Sequence, residues 1–350
     1  MGRLKESAIN FKYAFRPCKP FLIWRLAKTL AKSYIFKRPP LRYVDLALDF
    51  DCNLKCQHCF ALSLKQENRR KLTISEYRDI AEQCMKLGTV NFSFQGGEPL
   101  LLENLKDIIH AFRPHQNLIS VTTNGTLLNG RRIEELKRMG VDILTVSLDS
   151  SIPDEHDSFR GVPGSFAKTV SGIRLALKKG LNVTLGCVVT HHTLRSEGIK
   201  GLVELAQGLK TVLYIILPVA VGGWAQREDV LLDEEDMRFI DGLTRRSSYV
   251  RTDFQANLGP YGCGAAKEIL YITPYGDVFT CPFLHVSAGN VLNEAIKDIR
   301  GRALRDRHFA VYHDKCLASN DREFTSRYIS KVRSAKALPL QWSALFGEDN

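Results

Sequence analysis

The sequence predicts an α/β chain: a parallel sheet with helices on it, a small C-terminal extension and a basic N-terminal helix. Three observations carry this. From Tyr43 onward short β-rich runs alternate with helical patterns, the order expected of βαβ units. The runs number six, too few for a full eight-stranded barrel. Thr73 and Glu76 have capping-box spacing, and Gly88, Gly140 and Gly180 each follow a helical pattern where a C-cap glycine belongs. In order, the strands are expected near 43–49, 90–94, 118–123, 141–148, 182–190 and 211–217. The helices are expected near 74–87, 101–112, 131–139, 166–179 and 196–208. An acidic helix near 231–245 and another near 293–304 follow.

With 350 residues, 44% of them hydrophobic, the chain can bury a substantial core as one large domain with an appendage, or as two domains. No apolar run approaches the ~18 to 20 residues that span a bilayer, and no signal peptide is evident, so a cytoplasmic protein is expected. Nine cysteines, odd in number and partly clustered, suit metal ligation in a reducing compartment better than disulfides.

Charge is concentrated at the start. Residues 1–43 hold eleven basic residues (Arg3, Lys5, Lys12, Arg16, Lys19, Arg25, Lys28, Lys32, Lys37, Arg38 and Arg42) against Glu6 alone, in a chain of net charge +11. Pro20 to Tyr34 reads as a helix, with proline suited to its first turn. Arg25, Lys28 and Lys32 are expected on one face, with Phe21, Leu22, Ile23, Trp24, Leu26, Leu30 and Ile35 over much of the rest. Such a helix suits peripheral contact with an anionic inner membrane surface; the plainer alternative packs it on the protein with its lysines solvated. An anionic substrate or partner is a third reading. Nucleic acid is disfavoured, because the charge lies on an amphipathic helix and not on an aromatic stacking platform.

The chemistry is concentrated in Asp51-Cys52-Asn53-Leu54-Lys55-Cys56-Gln57-His58-Cys59-Phe60. Thiolates at C-x3-C-x2-C can hold three corners of a cubane iron–sulfur cluster, which normally takes four cysteines, so one iron stays open. Structural zinc on the three cysteines and His58 is the competing reading, although zinc modules usually draw ligands from two separated knuckles. Further on, an apolar run ends in Gly96-Gly97-Glu98-Pro99. The loop and this segment together resemble the radical S-adenosylmethionine (radical SAM) enzymes.

That resemblance implies an open, partial (β/α)6 TIM-type barrel over residues 43–225, preceded by the arm (1–42) and followed by the extension (226–350). It implies a [4Fe–4S] cluster on Cys52, Cys56 and Cys59 with one open iron, and SAM bound to that iron. Gly96, Gly97 and Glu98 are then expected against the methionine end of SAM, and Ser147 and Arg160 at its carboxylate. Thr123 and Asn124 are placed on the ribose or substrate side, and His58 near adenine. Cys84 and Cys187 read as small buried hydrophobes. The implied activity is reductive cleavage of SAM to a 5′-deoxyadenosyl radical that takes hydrogen from a natural-product, peptide or lipid-intermediate substrate. A ferredoxin or flavodoxin is the expected reductant. A non-catalytic zinc or iron–sulfur protein is the alternative.

Toward the C-terminus, Cys263 and Cys281 with Gly276 between them resemble the opening of a SPASM extension, the turn Pro274-Tyr275-Gly276-Asp277 placing both cysteines beside a hairpin. A full extension continues with a dense cysteine array, whereas this chain has only Cys316. One auxiliary cluster on Cys263, Cys281 and Cys316, its fourth position open or filled by His313 or Asp314, is therefore expected. An extension without a cluster, one of its thiols donating a hydrogen atom, is the alternative.

Overall fold

A computed structural model describes residues 13, 16, 18–35, 40–252 and 262–347. β1 (Tyr43–Ala47), β2 (Asn91–Gln95), β3 (Leu118–Thr123), β4 (Ile143–Ser147), β5 (Asn182–Val188) and β6 (Val212–Ile216) form where the β-rich runs predict them. They pair in parallel and in chain order. An N-terminal helix, α1 (Pro20–Ile35), precedes them. The connecting helices are α2 (Ile74–Leu87), α3 (Leu105–Ala111), α4 (Gly130–Met139), α5 (Pro153–Arg160), α6 (Ser165–Lys178) and α7 (Glu197–Gly208). The capping box of Thr73 and Glu76 starts α2 as expected.

The sheet is wider than six strands. After α8 (Glu234–Arg246), β7 (Val250–Thr252) adds in parallel to β6. β8 (Ile269–Ile272) adds in parallel to β1 at the other edge, carrying β9 (Asp277–Phe279) antiparallel beside it. Eight parallel strands thus run β8-β1-β2-β3-β4-β5-β6-β7. The expected break at 225 therefore does not divide the sheet: strands from beyond it form both edges.

Strand alternation sorts the residues into two layers. Val44, Leu46, Phe92, Phe94, Ile119, Val121, Leu144 and Val146 join Ile80, Ile108, Ile133, Ile173 and Leu202 of the helices in one core. The opposite face is polar. Asp45, Ser93 and Ser120 form one register row, and Thr122, Thr145 and Thr184 another. The Thr145 and Thr184 hydroxyls lie 2.9 Å apart, and Ser120 donates to Asn91 Oδ1 at 3.1 Å. On β4, in the middle of the sheet, Ile143, Thr145 and Ser147 stay partly accessible while Leu144 and Val146 are buried. Asp45, Ser93, Ser120 and Thr184 are buried on this face, and Thr145 and Ser147 are its partly accessible points on the central strand.

α1 lies across the N-terminal ends of the strands. Leu22 packs on Val90 and Leu118. Lys19 donates to the carbonyls of Asn117 and Gly140, both at 3.2 Å, and pairs with Asp142, which also holds Arg16 at 3.2 Å and accepts from Ile119 N at 2.8 Å. Arg25 donates to Gln116 O at 3.1 Å and also to Asn117 Oδ1 and Thr89 O. The expected basic face is therefore split: Arg25 turns onto the protein and Lys28 outward, because unpaired carbonyls at the strand starts attract a cation. Arg3, Lys5, Glu6, Lys12, Lys37, Arg38 and the Leu30 and Lys32 side chains lie outside the described residues.

Two histidines are sealed in the interior. His285 is fully buried between Phe60 and Phe279, ring centroids 6.1 and 6.2 Å away, with neither ring nitrogen hydrogen-bonded. His156 of α5 has only its Nδ1 engaged, by Asp149 N at 3.3 Å. Burial pushes His285 down to about 3 and His156 to about 4.

Asp142→Ala should cost about 3 kcal/mol in urea unfolding, since it leaves the buried Lys19 ammonium without its carboxylate; Lys19→Met should cost less. The two histidines have folded pKa values below the ~6.5 of an unfolded chain, so unfolding takes up protons. Their contribution is fully present above about pH 7 and is lost as pH falls toward 4. His285→Phe should make the fall in unfolding free energy near pH 5.5 shallower by about 1 kcal/mol per pH unit.

Candidate active site

The cysteine loop has little secondary structure of its own and is held from three sides at the C-terminal ends of the strands. After β2, Gly97 N donates to Asp49 O at 2.8 Å and Glu98 N to Asp51 O at 2.9 Å. A Cβ at Gly96 would come 2.1 Å from Asp49 O, and one at Gly97 2.0 Å from Asp51 O, so both positions require glycine. At the end of α5, Arg160 O accepts from Lys55 N and Phe159 O from Gln57 N, each at 3.1 Å. After β6, Gly223 N donates to Cys59 O at 3.0 Å, and a Cβ on Gly223 would sit 2.2 Å from Gln57 O.

None of the three thiols is in a disulfide. Leu54 N donates to Cys52 Sγ at 3.4 Å, and the Arg160 guanidinium to Cys56 Sγ at 3.6 Å. Burial pushes the Cys52 and Cys59 thiols up, so a bound metal centre must draw off their protons. Arg160 is itself buried, its Nε on Asp149 Oδ2 at 2.6 Å. Burial would push the Asp149 carboxyl up, but Arg160 beside it, together with the nearby His58 and His156, outweighs this and holds it below its usual range. Asp149 Oδ1 accepts from Val188 N at 3.1 Å, joining the ends of β4 and β5.

Glu98 is buried and accepts from Leu100 N at 3.0 Å, Thr123 Oγ1 at 2.7 Å and Asn124 N at 2.8 Å. Burial nevertheless pushes its carboxyl up. The Asn124 side chain donates to Asn53 Oδ1 at 2.8 Å, inside the cysteine loop. The glycine segment, the end of β3 and the cysteine loop are thereby tied into one unit. His58 stacks on Phe159 at 4.5 Å with Trp224 at 5.6 Å; burial pushes it down to about 3, and its Nδ1 has no hydrogen-bond partner. Ser147 sits half-buried at the end of β4.

Donor spacing separates the two metal readings. Ligands of one tetrahedral zinc ion lie about 3.8 Å apart. No three of Cys52, Cys56, Cys59 and His58 bring their donor atoms within 4.8 Å of one another. A cubane, whose irons occupy separate corners, accepts the wider spacing, and the orphaned His58 Nδ1 beside it faces no protein partner.

The C-terminal cysteines lie on adjoining backbone. Cys263 pairs antiparallel with His313, its N donating to His313 O at 2.7 Å, and Ala266 N donates to Thr280 O at 3.0 Å next to Cys281. Cys316 O accepts from the amides of Ser319, Asn320 and Asp321. The His313 Nε2 lies 2.8 Å from His308 O, the backbone contact that the second nitrogen of a ligating imidazole commonly makes. Cys84 and Cys187 are buried as expected.

Sequence reasoning passed over three parts of the site: Asp149 as the partner of Arg160, Phe159 as the platform for His58, and Gly222-Gly223 as the third clasp. The last had a visible signal, a second Gly-Gly pair in the segment that follows a strand, a little further from β6 than Gly96-Gly97 is from β2.

Comparison with known proteins agrees with this geometry. The Radical SAM superfamily profile matches residues 50–207, and the SPASM iron-sulfur cluster-binding domain profile matches residues 263–321. The chain is 34% identical over 227 residues to a probable GTP 3′,8-cyclase of Methanocella arvoryzae, covering 64% of this chain and 71% of that one. It is 25% identical over 286 residues to an AdoMet-dependent heme synthase of Methanosarcina barkeri, covering 74% and 81%. The fold matches Streptococcus suis SuiB bound to the precursor peptide SuiA, with TM-score 0.60 and 19% identity over 79% of this chain and 68% of that one. With its cysteine loop clasped at the mouth of a partial barrel, the chain belongs to the radical SAM superfamily and is an enzyme of the group that carries a SPASM iron–sulfur domain.

Proposed function

We propose that Cys52, Cys56 and Cys59 ligate the [4Fe–4S] cluster and that the mouth around them positions SAM over a polar substrate in the lumen. A cluster held there would supply the one electron that breaks the S–C5′ bond of SAM, with methionine leaving and the 5′-deoxyadenosyl group taking a hydrogen atom from the substrate. The chain's residues do the positioning. Gly96 and Gly97 leave room for main-chain contact with the methionine end. Glu98 fixes that segment to Asn124, which faces the ribose side, and His58 with its Phe159 platform stands on the adenine side. Ser147 and Arg160 serve the SAM carboxylate; with Nε on Asp149, Arg160 contributes its fixed charge beside Cys56. Cys263, Cys281 and Cys316 ligate an auxiliary cluster. A ferredoxin or flavodoxin supplies the electron, and the arm gives a peripheral contact at the inner membrane surface. Residues 1–42, 43–225 and 226–350 act as arm, barrel and extension, although the last two share one sheet.

The observation that carries this reading is the cysteine loop clasped at the strand ends beside a sheet face of small polar side chains, of which Thr145 and Ser147 are partly accessible. Rows of serine and threonine hydroxyls suit a substrate rich in hydrogen-bonding groups, such as a peptide or polar natural product, and offer little to an acyl chain. SuiB, which shares the fold, is seen with a precursor peptide, and this supports the peptide class.

Anaerobically reconstituted protein with dithionite and SAM should release 5′-deoxyadenosine, and Cys52→Ala, Cys56→Ala or Cys59→Ala should each lower release at least ~100-fold. Protein that carries iron and sulfide yet leaves SAM intact would refute the assignment. The double variant Cys263→Ala/Cys281→Ala should keep SAM cleavage while losing roughly four irons per chain. Gly223→Ala, whose methyl meets the Gln57 carbonyl, should lower iron content with the fold retained by circular dichroism.

A further inference from the structure

We infer that α1 is a membrane-interfacial helix that seats the enzyme on an anionic bilayer with its substrate mouth turned toward water. This rests on the membrane contact proposed above and adds the face that makes it and the orientation that results. One side of α1 is used up on the protein, through Leu22, Arg25 and Thr29, with Lys19 just before it. The other side carries Phe21, Trp24, Lys28 and Ile35, at spacings of three, four and seven that align them along the helix. Phe21 and Trp24 are each 62% exposed and Ile35 70%, three of the most exposed large apolar side chains among the described residues. Lys28 reaches over the Trp24 ring at 5.1 Å. Two aromatics, an isoleucine and a lysine lying along an amphipathic helix suit the headgroup–acyl boundary.

Charge selects the occupant. The segment 1–43 carries eleven basic residues and one acid, and the described cations Arg16, Lys19, Arg25 and Arg42 are turned onto the protein. A second copy of the chain would bring two such segments together, whereas an anionic lipid surface attracts them.

Orientation follows from topology. α1 and Lys19 just before it touch Thr89, Gln116, Asn117, Gly140 and Asp142, which immediately precede β2, β3 and β4. The cysteine loop, Gly96, Asn124 and Asp149 follow the opposite ends of β1 to β4. A strand length of about 17 Å separates the two. A bilayer under α1 therefore leaves the mouth on the aqueous side, and substrate arrives from water.

Full-length protein should sediment with vesicles of phosphatidylglycerol and phosphatidylcholine (1:3) at least ~10-fold more than with phosphatidylcholine alone, and less at high salt. Phe21→Ser/Trp24→Ser/Ile35→Ser should abolish most of this while its thermal midpoint and SAM cleavage stay unchanged. With wild-type protein bound to saturating anionic vesicles, dithionite-driven 5′-deoxyadenosine release should also be unchanged. Equal pelleting of the variant, equal pelleting with neutral vesicles, or a wild-type dimer that the variant lacks would overturn the lipid assignment. A tenfold loss of 5′-deoxyadenosine release on vesicles would overturn the orientation. Sedimentation does not require SAM turnover, so failure of the catalytic reading would show separately, in protein that binds vesicles but leaves SAM intact.

Discussion

The buried ion pair between Asp149 and Arg160 is the contact on which the geometry of the mouth depends. It closes at 2.6 Å with both partners buried, and it joins four parts of the fold: the end of β4, the end of β5 through Val188 N, the last turn of α5, and the cysteine loop through Cys56. A buried charge stripped of its partner is strongly destabilising, typically by about 3 to 5 kcal/mol, so neither residue can relax alone. The loop itself has little secondary structure and is fixed by its neighbours. Its amides and carbonyls are matched by α5, by the glycines after β2 and by those after β6, and the ion pair keeps α5 in place for its share.

Beneath that clasp the sheet departs from a packed barrel. Parallel strands usually bury both faces. Here the helix-facing side follows that rule with Val, Leu, Ile and Phe, while the concave side presents Ser93, Ser120, Thr145 and Thr184. Short hydroxyl side chains offer hydrogen bonds in little volume; Ser93, Ser120 and Thr184 are buried, while Thr145 and Ser147 on a central strand stay partly accessible. A reactive radical needs its target held and its surroundings defined, and a lumen of small polar groups provides both.

All six central strands were legible because each is a short β-rich run between helical patterns. The residue types of the mouth were equally legible, since cysteine spacing and Gly-Gly-Glu-Pro are local signals. What sequence reading missed is long-range or short. α5 is eight residues with proline in its first turn, too brief for a periodic signal. β7 has three residues, and β8 announces a hairpin arm but not that it pairs with β1 across more than two hundred residues. Arg25 looked like part of an outward basic face because helical spacing cannot show where unpaired carbonyls lie.

The pairing of β8 with β1 has a consequence for how the protein is assembled. β1 leads directly into the cysteine loop, and its outer edge is covered by a strand from the SPASM region, Tyr43 to Leu46 alongside Ile269 to Ile272. Without that cover the first strand would be a bare edge with unsatisfied amides, prone to recruit strands from other molecules. Barrel and iron–sulfur extension are thus joined through one sheet, and loss of the extension would bare the edge of the strand that leads into the cysteine loop.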